Sequence, residues 1–162
     1  GDEYIKNSGC DYVIFRTSWV YGSNGNNFVK NILQRAILCD KLEVVCDQYG
    51  SPTSALFIAE IIEKYLNMQS LNNCIAPNEI FNLCSSGNTS WFNFADTILK
   101  QSHKINPKYK TNLVTIESKQ CKTLANRPKY SVLSNRKLST YFDIDIQNWE
   151  YYLKYFLDTY IN

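Results

Sequence analysis

The segment RTSWVYG, residues 16–22, places two hydroxyl groups and two aromatic rings close together in the chain. It follows a short apolar run that is typical of a buried strand, and α/β proteins bind ligands beyond the carboxyl ends of their strands. There Trp19 and Tyr21 can stack on a base or a sugar, while Thr17 and Ser18 can hydrogen-bond a nicotinamide or a hydroxyl. The alternative is that Trp19 belongs to the core and that the hydroxyls cap local turns. Residue spacing alone favours neither interpretation.

Two signatures of dinucleotide-dependent redox chemistry are missing from this sequence. A glycine-rich turn lets backbone N–H groups approach a pyrophosphate at a helix N-terminus, but Gly22 and Gly25 have no third glycine after them. A plain turn is therefore the favoured interpretation of these two glycines. Short-chain dehydrogenases also place a Lys four residues after a Tyr, so that the ammonium lowers the pKa of the phenol. None of the twelve tyrosines has a Lys at that offset.

Histidine and cysteine give no sign of a metal centre. His103, the only histidine, lies near the C-terminal end of a predicted helix, where a solvated cation is the favoured interpretation. The six cysteines form neither a CxxC pair nor the paired spacing of a zinc site. Most lie in apolar stretches, so we expect buried, reduced thiols. The sequence therefore predicts no metal site and no Ser-His-acid triad.

The patterns of strands and helices alternate along the chain. Apolar runs predict strands at residues 11–18, 41–46, 80–84 and 112–118. Apolar positions three and four residues apart predict helices from Asn27 to about Cys39, from Ser54 to Met68, from Thr89 or Ser90 to about Ser102, from near Ser134, and from Trp149 to Tyr160. Gly50 and Pro52 predict a turn-rich break between two of these elements. The alternation predicts an α/β fold in one domain.

The composition is that of a globular protein, with 44% hydrophobic and 20% charged residues. The formal net charge of +2 comes from interspersed charges without a basic run, which argues against a nucleic-acid partner. No stretch approaches the roughly 20 apolar residues of a membrane span, and residues 1–8 are polar rather than signal-like. We expect a cytoplasmic protein without a membrane partner, because reduced thiols are typical of that compartment.

Four blocks of the sequence resemble the dTDP-4-dehydrorhamnose reductases, a branch of the extended short-chain dehydrogenases, and they occur in the order found in that family. The blocks are RTSWVYGSNGNNFVKNIL at 16–33, DQYGSPT at 47–53, FNLCSSGNTSWFNFA at 81–95 and NRPKYSVLSNRKL at 126–138. Together they extend over nearly the whole chain. The resemblance implies the C-terminal part of a Rossmann-type α/β fold, in which the last strands of the sheet are joined to a small α/β lobe that binds the substrate.

In that family NADPH or NADH reduces the 4-keto group of a dTDP-4-keto-6-deoxy sugar, which yields dTDP-L-rhamnose for cell-surface polysaccharide. Carried over by position, the resemblance places Thr17 and Ser18 near the nicotinamide and Trp19 against the deoxysugar of a dTDP-sugar substrate. The residues that it places near the nucleotide part of the substrate are Asn26, Asn27, Phe28, Gln48 and Arg127. A guanidinium can also grip a pyrophosphate in a bidentate manner, which supports the assignment of Arg127.

In the family, the glycine-rich loop and the catalytic Tyr and Lys precede the segment that this chain resembles. We therefore expect residues 1–162 to be the substrate-binding portion of a reductase, with no catalytic residue and with the N-terminal cofactor-binding half absent. Hydride transfer needs donor, acceptor and acid held together, so we expect this polypeptide alone to be inactive. Strands without sheet neighbours expose backbone edges, which favours association into a homo-oligomer.

Two other hypotheses are open. One is a non-catalytic binding or regulatory protein on the same fold, as the regulatory subunit of methionine adenosyltransferase resembles this family without sharing its reaction. The missing catalytic pair fits this hypothesis, whereas the retention of sugar-facing residues such as Trp19 fits it less well. The other is an α/β domain without a ligand, which explains the periodicities but not the four ordered blocks.

Overall fold

The computed structural model describes residues 1–72, 77–121 and 127–161. Its helices are α1 (Asp2–Lys6), α2 (Phe28–Leu38), α3 (Ala55–Asn72), α4 (Trp91–Ile105), α5 (Arg136–Phe142) and α6 (Trp149–Ile161). Its strands are β1 (Val13–Arg16), β2 (Val20–Tyr21), β3 (Lys41–Val45), β4 (Tyr49–Gly50), β5 (Thr53–Ser54), β6 (Glu79–Asn82), β7 (Thr89–Ser90) and β8 (Asn112–Ile116). Strands and helices alternate, so the expected α/β class is confirmed. Among the helices of the described segments, none combines the length and the apolar character that crossing a bilayer requires.

Within the described ranges, the strands pair two by two. β1 pairs with β6 and β3 with β8, both in parallel. β2 pairs in parallel with β5, while β4 pairs antiparallel with β7. Val13 lies opposite Glu79 and Arg16 lies opposite Asn82, so β1 and β6 end at the same level. Parallel pairing thus brings the loop that starts at Thr17 and the loop after β6 to the same edge of the sheet.

Two groups of buried side chains hold these elements together. The first lies among α2, β3, α4 and α6 and includes the fully buried Val29, Leu42 and Ile98. The second lies among α3, β6 and α5 and includes Phe57 and Phe81. Burial of this kind is the main source of free energy that holds an α/β fold together.

The C-terminal helix α6 contributes to both cores. Leu153 and Leu157 are fully buried in the first core, whereas Tyr152 packs in the second. Trp149 is also buried, which confirms most of the apolar stripe predicted for this helix. Tyr160, at the end of the stripe, is 39% exposed. The helix therefore fixes the two parts of the molecule relative to each other.

The helices α2 and α4 both begin at side-chain caps. Asn27 Oδ1 accepts a hydrogen bond from Lys30 N at 3.1 Å, and Ser90 Oγ accepts one from Asn93 N at 3.1 Å. Each cap satisfies a backbone donor that the first turn of a helix leaves without an intrahelical partner. The predicted starts of both helices are confirmed, and Ser90 rather than Thr89 is the cap of α4.

The turn-rich segment DQYGSPT differs from the sequence-based expectation. We predicted a break there, but the segment contains the short strand β4 and the first residue of β5. Gly50 closes β4 by pairing with Thr89, and Pro52 lies between the two strands. Because proline has no N–H group, a position between strands costs no ladder hydrogen bond. Strands this short depend on partners elsewhere in the chain, which local sequence does not reveal.

The cysteines are less buried than predicted. Of the five in the described ranges, all free, only Cys84 is buried, and burial raises its pKa to about 11. Cys10 is exposed, and the others are half-buried. The prediction was wrong because several of these cysteines stand at element ends, such as Cys39 after α2 and Cys46 after β3, where solvent reaches the thiol. Cys74 lies outside the described residues.

Candidate functional site

A cleft of about 660 Å³ lies between α2, the strands β3 and β8, and the segment that begins at Arg127. The polar side chains that line it are those of Asn26, Asn27, Asn31, Arg35, Glu43, Gln48, Ser118 and Arg127. A smaller pocket of about 240 Å³ adjoins this cleft through three shared residues, which are Gln48, Trp91 and Arg127. The two spaces together have the volume of a small-molecule site and combine apolar and polar lining residues.

Three aromatic rings, those of Trp19, Phe28 and Trp91, form what we call the aromatic wall. Trp19 and Trp91 stack with their ring centroids 3.4 Å apart and their planes 5° from parallel. The ring of Phe28 lies 4.5 Å from that of Trp91. The buried ring of Phe94 lies 5.5 Å from Phe28 and 6.4 Å from Trp19, so the wall stands on the first core. Contacts between rings at such distances stabilise beyond their burial alone.

The backbone and one close neighbour fix the indole of Trp19. Trp19 has a φ of 49°, in the left-handed region that residues with a Cβ rarely adopt. Its carbonyl oxygen accepts a hydrogen bond from Thr53 N at 3.2 Å. Gly50 lies so close to the ring that a Cβ at this position would overlap it. Trp19 is half-buried and lines the smaller pocket, so it packs against the core and is also available to a ligand.

Gln48 and Arg127 form what we call the polar wall, which lines both the cleft and the smaller pocket. Gln48 directly precedes β4. The segment that carries Arg127 is held against β4 by backbone hydrogen bonds, since Tyr49 N donates to Lys129 O at 2.8 Å and Ser131 N donates to Tyr49 O at 2.9 Å. The guanidinium is therefore carried by an exposed segment that is anchored along a strand.

Asp47 stands next to Gln48 and accepts hydrogen bonds from two distant residues. Ser118 donates from its N at 2.8 Å and from its Oγ at 2.9 Å, and Lys129 Nζ lies 3.1 Å from the same carboxylate. Partial desolvation alone would raise the pKa of Asp47, but the hydrogen bonds from Ser118 and Lys129 outweigh it and lower the pKa to about 2. Asp47 is therefore ionised at neutral pH and joins the end of β8 to the segment that carries Arg127.

The N-terminal half of α2 presents polar groups to the cleft. Asn26 is exposed, whereas the side chain of Asn27 is engaged within its own loop, where its Nδ2 donates to Gly22 O at 2.7 Å in addition to capping the helix. Asn31 and Arg35 follow Asn27 at intervals of four residues, which places all three on one side of the helix. This side faces the cleft, because each of the three residues lines it.

Six of the eight binding residues predicted from the sequence line the cleft or the smaller pocket: Trp19, Asn26, Asn27, Phe28, Gln48 and Arg127. The other two, Thr17 and Ser18, follow β1 and line neither space. Thr17 is exposed, and Ser18 Oγ donates a hydrogen bond to Ser51 O at 3.1 Å. The structure thus gathers these six residues around two adjoining spaces that share Gln48 and Arg127.

Sequence reasoning missed Trp91, Arg35 and Asp47. Trp91 lies within one of the four family-like blocks, directly after the cap of α4, and its position at a helix start was the available signal. Arg35 could have been found from its spacing of eight residues after Asn27, which puts the two on one helix face. Asp47 lies in the block DQYGSPT, but the sequence gives no sign of its partners, which are 71 and 82 residues away in the chain.

The site combines groups for three kinds of recognition. Indole faces can stack on a flat ring, amide groups can bond base edges or hydroxyls, and the guanidinium groups of Arg35 and Arg127 can bind an anion such as a pyrophosphate. The parts of the chain that the structure describes hold no group of three or more His, Cys, Asp or Glu that could bind a metal ion.

The architecture is that of the C-terminal part of an extended short-chain dehydrogenase. A likeness of fold alone links it to the UDP-N-acetylglucosamine 4-epimerase of Bacillus cereus, with a TM-score of 0.65 at 14% identity. The chain belongs to the family described as the RmlD substrate binding domain, whose model matches residues 1–162. The family resemblance and the fold expected from the sequence are thereby confirmed.

Named relatives of this chain are reductases or act in polysaccharide synthesis. A dTDP-4-dehydrorhamnose reductase of Burkholderia thailandensis is 31% identical over 156 residues, which are 93% of this chain and 52% of the relative. The spore coat polysaccharide biosynthesis protein SpsK of Bacillus subtilis is 36% identical over 138 residues, 85% of this chain and 44% of that protein.

Among solved structures, the chain is similar to the dTDP-4-dehydrorhamnose reductase of Bacillus anthracis in complex with NADP, with a TM-score of 0.85 and 28% identity. The match covers 98% of this chain and 52% of that one. The chain thus spans about half the length of the relatives that it matches.

Proposed function

We propose that this chain provides the sugar-nucleotide-binding part of a dTDP-4-dehydrorhamnose reductase. The reaction is the reduction of the 4-keto group of dTDP-4-dehydro-L-rhamnose by NADPH or NADH, which yields dTDP-L-rhamnose for polysaccharide synthesis. The observation that carries this proposal is that Trp19 and Arg127, which are 108 positions apart in the sequence, line the same small pocket. The names of the relatives support the same reaction.

The chemistry of the two walls fits the parts of a nucleotide sugar. Trp19 offers an aromatic surface to the deoxysugar, whose C–H groups pack well against an indole. Arg127 offers a fork of N–H donors to the pyrophosphate, and Gln48 beside it offers an amide. Asn26, with its exposed amide, and the ring of Phe28 fit the nucleoside end of the cleft.

Asn27 takes part in this proposal mainly by holding its own loop and the start of α2. Its side chain already accepts from Lys30 N and donates to Gly22 O, so one N–H and one lone pair are left for a ligand. We therefore propose that Asn27 shapes the loop that presents Asn26 and Phe28. Arg35, two helical turns along α2, adds a second cation to the same cleft.

The nicotinamide end of the cofactor fits the residues after β1. Thr17 has an exposed hydroxyl, and the Ser18 hydroxyl donates to Ser51 O, which leaves its oxygen lone pairs free to accept from an amide. We propose that these two residues border the nicotinamide, as the family resemblance implies. When bound, the cofactor supplies the hydride, while this chain holds and orients the sugar.

We propose further that residues 1–162 by themselves bind the sugar nucleotide without turning over NADPH. The sequence contains no Tyr followed four residues later by Lys, which is the usual source of the proton in this chemistry. Absorbance at the wavelength of the reduced nicotinamide measures this directly. Oxidation of NADPH by the pure chain in the presence of the keto sugar would contradict the proposal.

A cytoplasmic location and self-association belong to the same proposal. The free cysteines of the described ranges fit a reducing compartment. β1 pairs with only one strand within the described residues, so its other backbone edge is open to a partner. Sedimentation of the pure protein measures its oligomeric state.

The binding proposal is tested by calorimetry with dTDP-L-rhamnose, which carries both the deoxysugar and the pyrophosphate, on four proteins: the wild type, Trp19→Ala, Arg127→Ala and the double variant. Loss of a bidentate charged contact costs about 1.5–3 kcal/mol, so we expect Arg127→Ala to weaken binding by roughly 10-fold to 150-fold. Lys100→Ala is the matched control, because Lys100 is a solvated cation on the outer side of α4 that pairs with Asp96. Unchanged affinity in the double variant would overturn the proposal.

The regulatory alternative is not favoured by the comparisons. The three relatives described above carry the names of a reductase or a polysaccharide-biosynthesis protein. Retention of a cleft that combines indole rings with guanidinium groups also fits a protein that still binds its sugar nucleotide.

A further inference from the structure

The carboxylate of Asp47 connects three separate segments at the polar wall. It directly precedes Gln48, it accepts two hydrogen bonds from Ser118, which lies two residues after β8, and it pairs with Lys129. Its side chain is 20% exposed, whereas that of Lys129 is 73% exposed. Asp47 lines neither the cleft nor the smaller pocket. Asp47 therefore supports the polar wall without being part of the surface that a ligand would contact.

Each partner of this carboxylate is close in sequence to a residue that lines the cleft. Ser118 itself lines the cleft, and Lys129 is two residues from Arg127. A long cationic side chain on an exposed segment loses conformational freedom when it binds a ligand, and that loss weakens binding unless the segment is already held in place. The ion pair at Lys129 already holds the segment, so Arg127 loses less conformational freedom when it binds a ligand.

We propose that Asp47 is a positioning residue that holds the 127–131 segment, and with it Arg127, in the place where the guanidinium meets the pyrophosphate of the substrate. This role rests on the proposed function of the cleft. Asp47 contributes through Lys129 and Ser118, without touching the ligand. Its low pKa keeps it charged at neutral pH, so its negative charge is available to pair with Lys129 there.

The fold does not depend on this carboxylate alone. The backbone bonds of Tyr49 with Lys129 and Ser131 anchor the same segment without it. An Asn at position 47 keeps the shape of the side chain and an acceptor for Ser118 N, but it has no charge for Lys129. Asp47→Asn is thus expected to fold and to alter the placement of Arg127.

The test is a double-mutant cycle measured by calorimetry on the wild type, Asp47→Asn, Arg127→Ala and the double variant. The ligands are dTDP, which carries the pyrophosphate, and thymidine, which lacks it. We expect Asp47→Asn to weaken dTDP binding by about twofold to fivefold, the range that loss of one largely exposed ion pair allows, and to leave thymidine binding unchanged. We also expect no further loss from Asp47→Asn once Arg127 is Ala, because the two side chains act on one contact.

A second variant reaches the same contact from its other end. Lys129→Met keeps much of the length of the side chain but removes its charge. We expect it to lower dTDP affinity as much as Asp47→Asn does. It thus tests the ion pair even if Asp47→Asn folds poorly. Asp96→Asn is the matched control, because it breaks an exposed ion pair with Lys100 on α4. Its affinity for both ligands should equal that of the wild type.

The outcomes separate the two proposals. If the wild type fails to bind dTDP, the proposed function is wrong, and the positioning role of Asp47 is wrong as well. If the wild type binds dTDP but Asp47→Asn and Lys129→Met bind it equally well, the positioning role alone is wrong. Equal losses for dTDP and thymidine, or losses that add fully to that of Arg127→Ala, would likewise show a general structural effect and overturn it.

Discussion

The two walls of the cleft are built by different forces. The aromatic wall of Trp19, Phe28 and Trp91 stands on the buried ring of Phe94 and is held by packing. In the polar wall, Gln48 directly precedes β4, whereas Arg127 lies on an exposed segment that hydrogen bonds and one ion pair hold against that strand. Packing of neutral rings involves no titrating group, whereas exposed charges are screened by salt.

Because of this difference, we expect one wall to determine stability and the other to determine ligand affinity. The aromatic wall should decide the stability of the site, because its rings are continuous with the first core. The polar wall should decide affinity for the charged part of the ligand with little effect on folding. The walls meet where Trp91 N donates to Gln48 O at 3.3 Å, so a shift in one is transmitted to the other.

Removing the support of the aromatic wall should have the largest effect on stability. Phe94 is 1% exposed and contacts all three rings of the wall, so Phe94→Ala should lower the free energy of unfolding by about 3–5 kcal/mol. Denaturation in urea measures the change. Leu38→Ala is the control, since Leu38 is 81% exposed and its loss should change stability by no more than about 0.5 kcal/mol. Similar changes in both variants would refute the packing origin of the wall.

Crowding the indole of Trp19 should have the next largest effect. A Cβ at Gly50 overlaps the ring, so Gly50→Ala should cost about 1–3 kcal/mol and separate the two stacked indoles. Stacked indoles give paired bands of opposite sign in circular dichroism, and we expect these bands to disappear. Gly9→Ala is the contrast, because Gly9 has open space around it and a φ of 77°, so it should cost about 1 kcal/mol without altering those bands. Bands that survive in Gly50→Ala would count against the close approach.

Removing a helix cap should produce a smaller loss. Asn27→Ala should lower the free energy of unfolding by about 1 kcal/mol, because Lys30 N loses its acceptor. Asn31→Ala, on the same face of α2 and exposed, should cause no loss of stability. If Asn27→Ala instead leaves stability intact while dTDP binding falls, the side chain contacts the ligand rather than the loop.

Acid should reveal the smallest effect, at the polar wall. The pKa of Asp47 is lowered from 3.8 to about 2, so its contribution to stability is fully present above about pH 4 and is lost as pH falls through about 2. The difference in stability between the wild type and Asp47→Asn should therefore shrink from pH 5 to pH 2. Urea denaturation at several pH values measures it. A difference that grows toward low pH would contradict the assigned direction of the pKa shift.

The sequence predicts the helices and longer strands well, but it predicts poorly the short strands that depend on pairing with distant residues. Apolar periodicity located α2, α4 and α6, and the residue types at Asn27 and Ser90 located two caps, because these depend on neighbours within one or two turns. The strands β2, β4, β5 and β7 were not separately recognised, since a two-residue strand exists only through its partner.

The candidate site shows the same division. Family-like blocks pointed to Trp19, Gln48 and Arg127, and the structure gathers these around one space. The stack of Trp19 on Trp91 joins residues 72 positions apart, and no local pattern records it. The contact of Asp47 with Ser118 was hidden for the same reason.

A crystal structure of the protein with bound dTDP tests the central claim most directly. We expect the pyrophosphate within hydrogen-bonding distance of the Arg127 guanidinium, with the unoccupied sugar position next to the indole of Trp19. A nucleotide bound elsewhere on the protein, with both walls of the cleft free of ligand, would contradict the account.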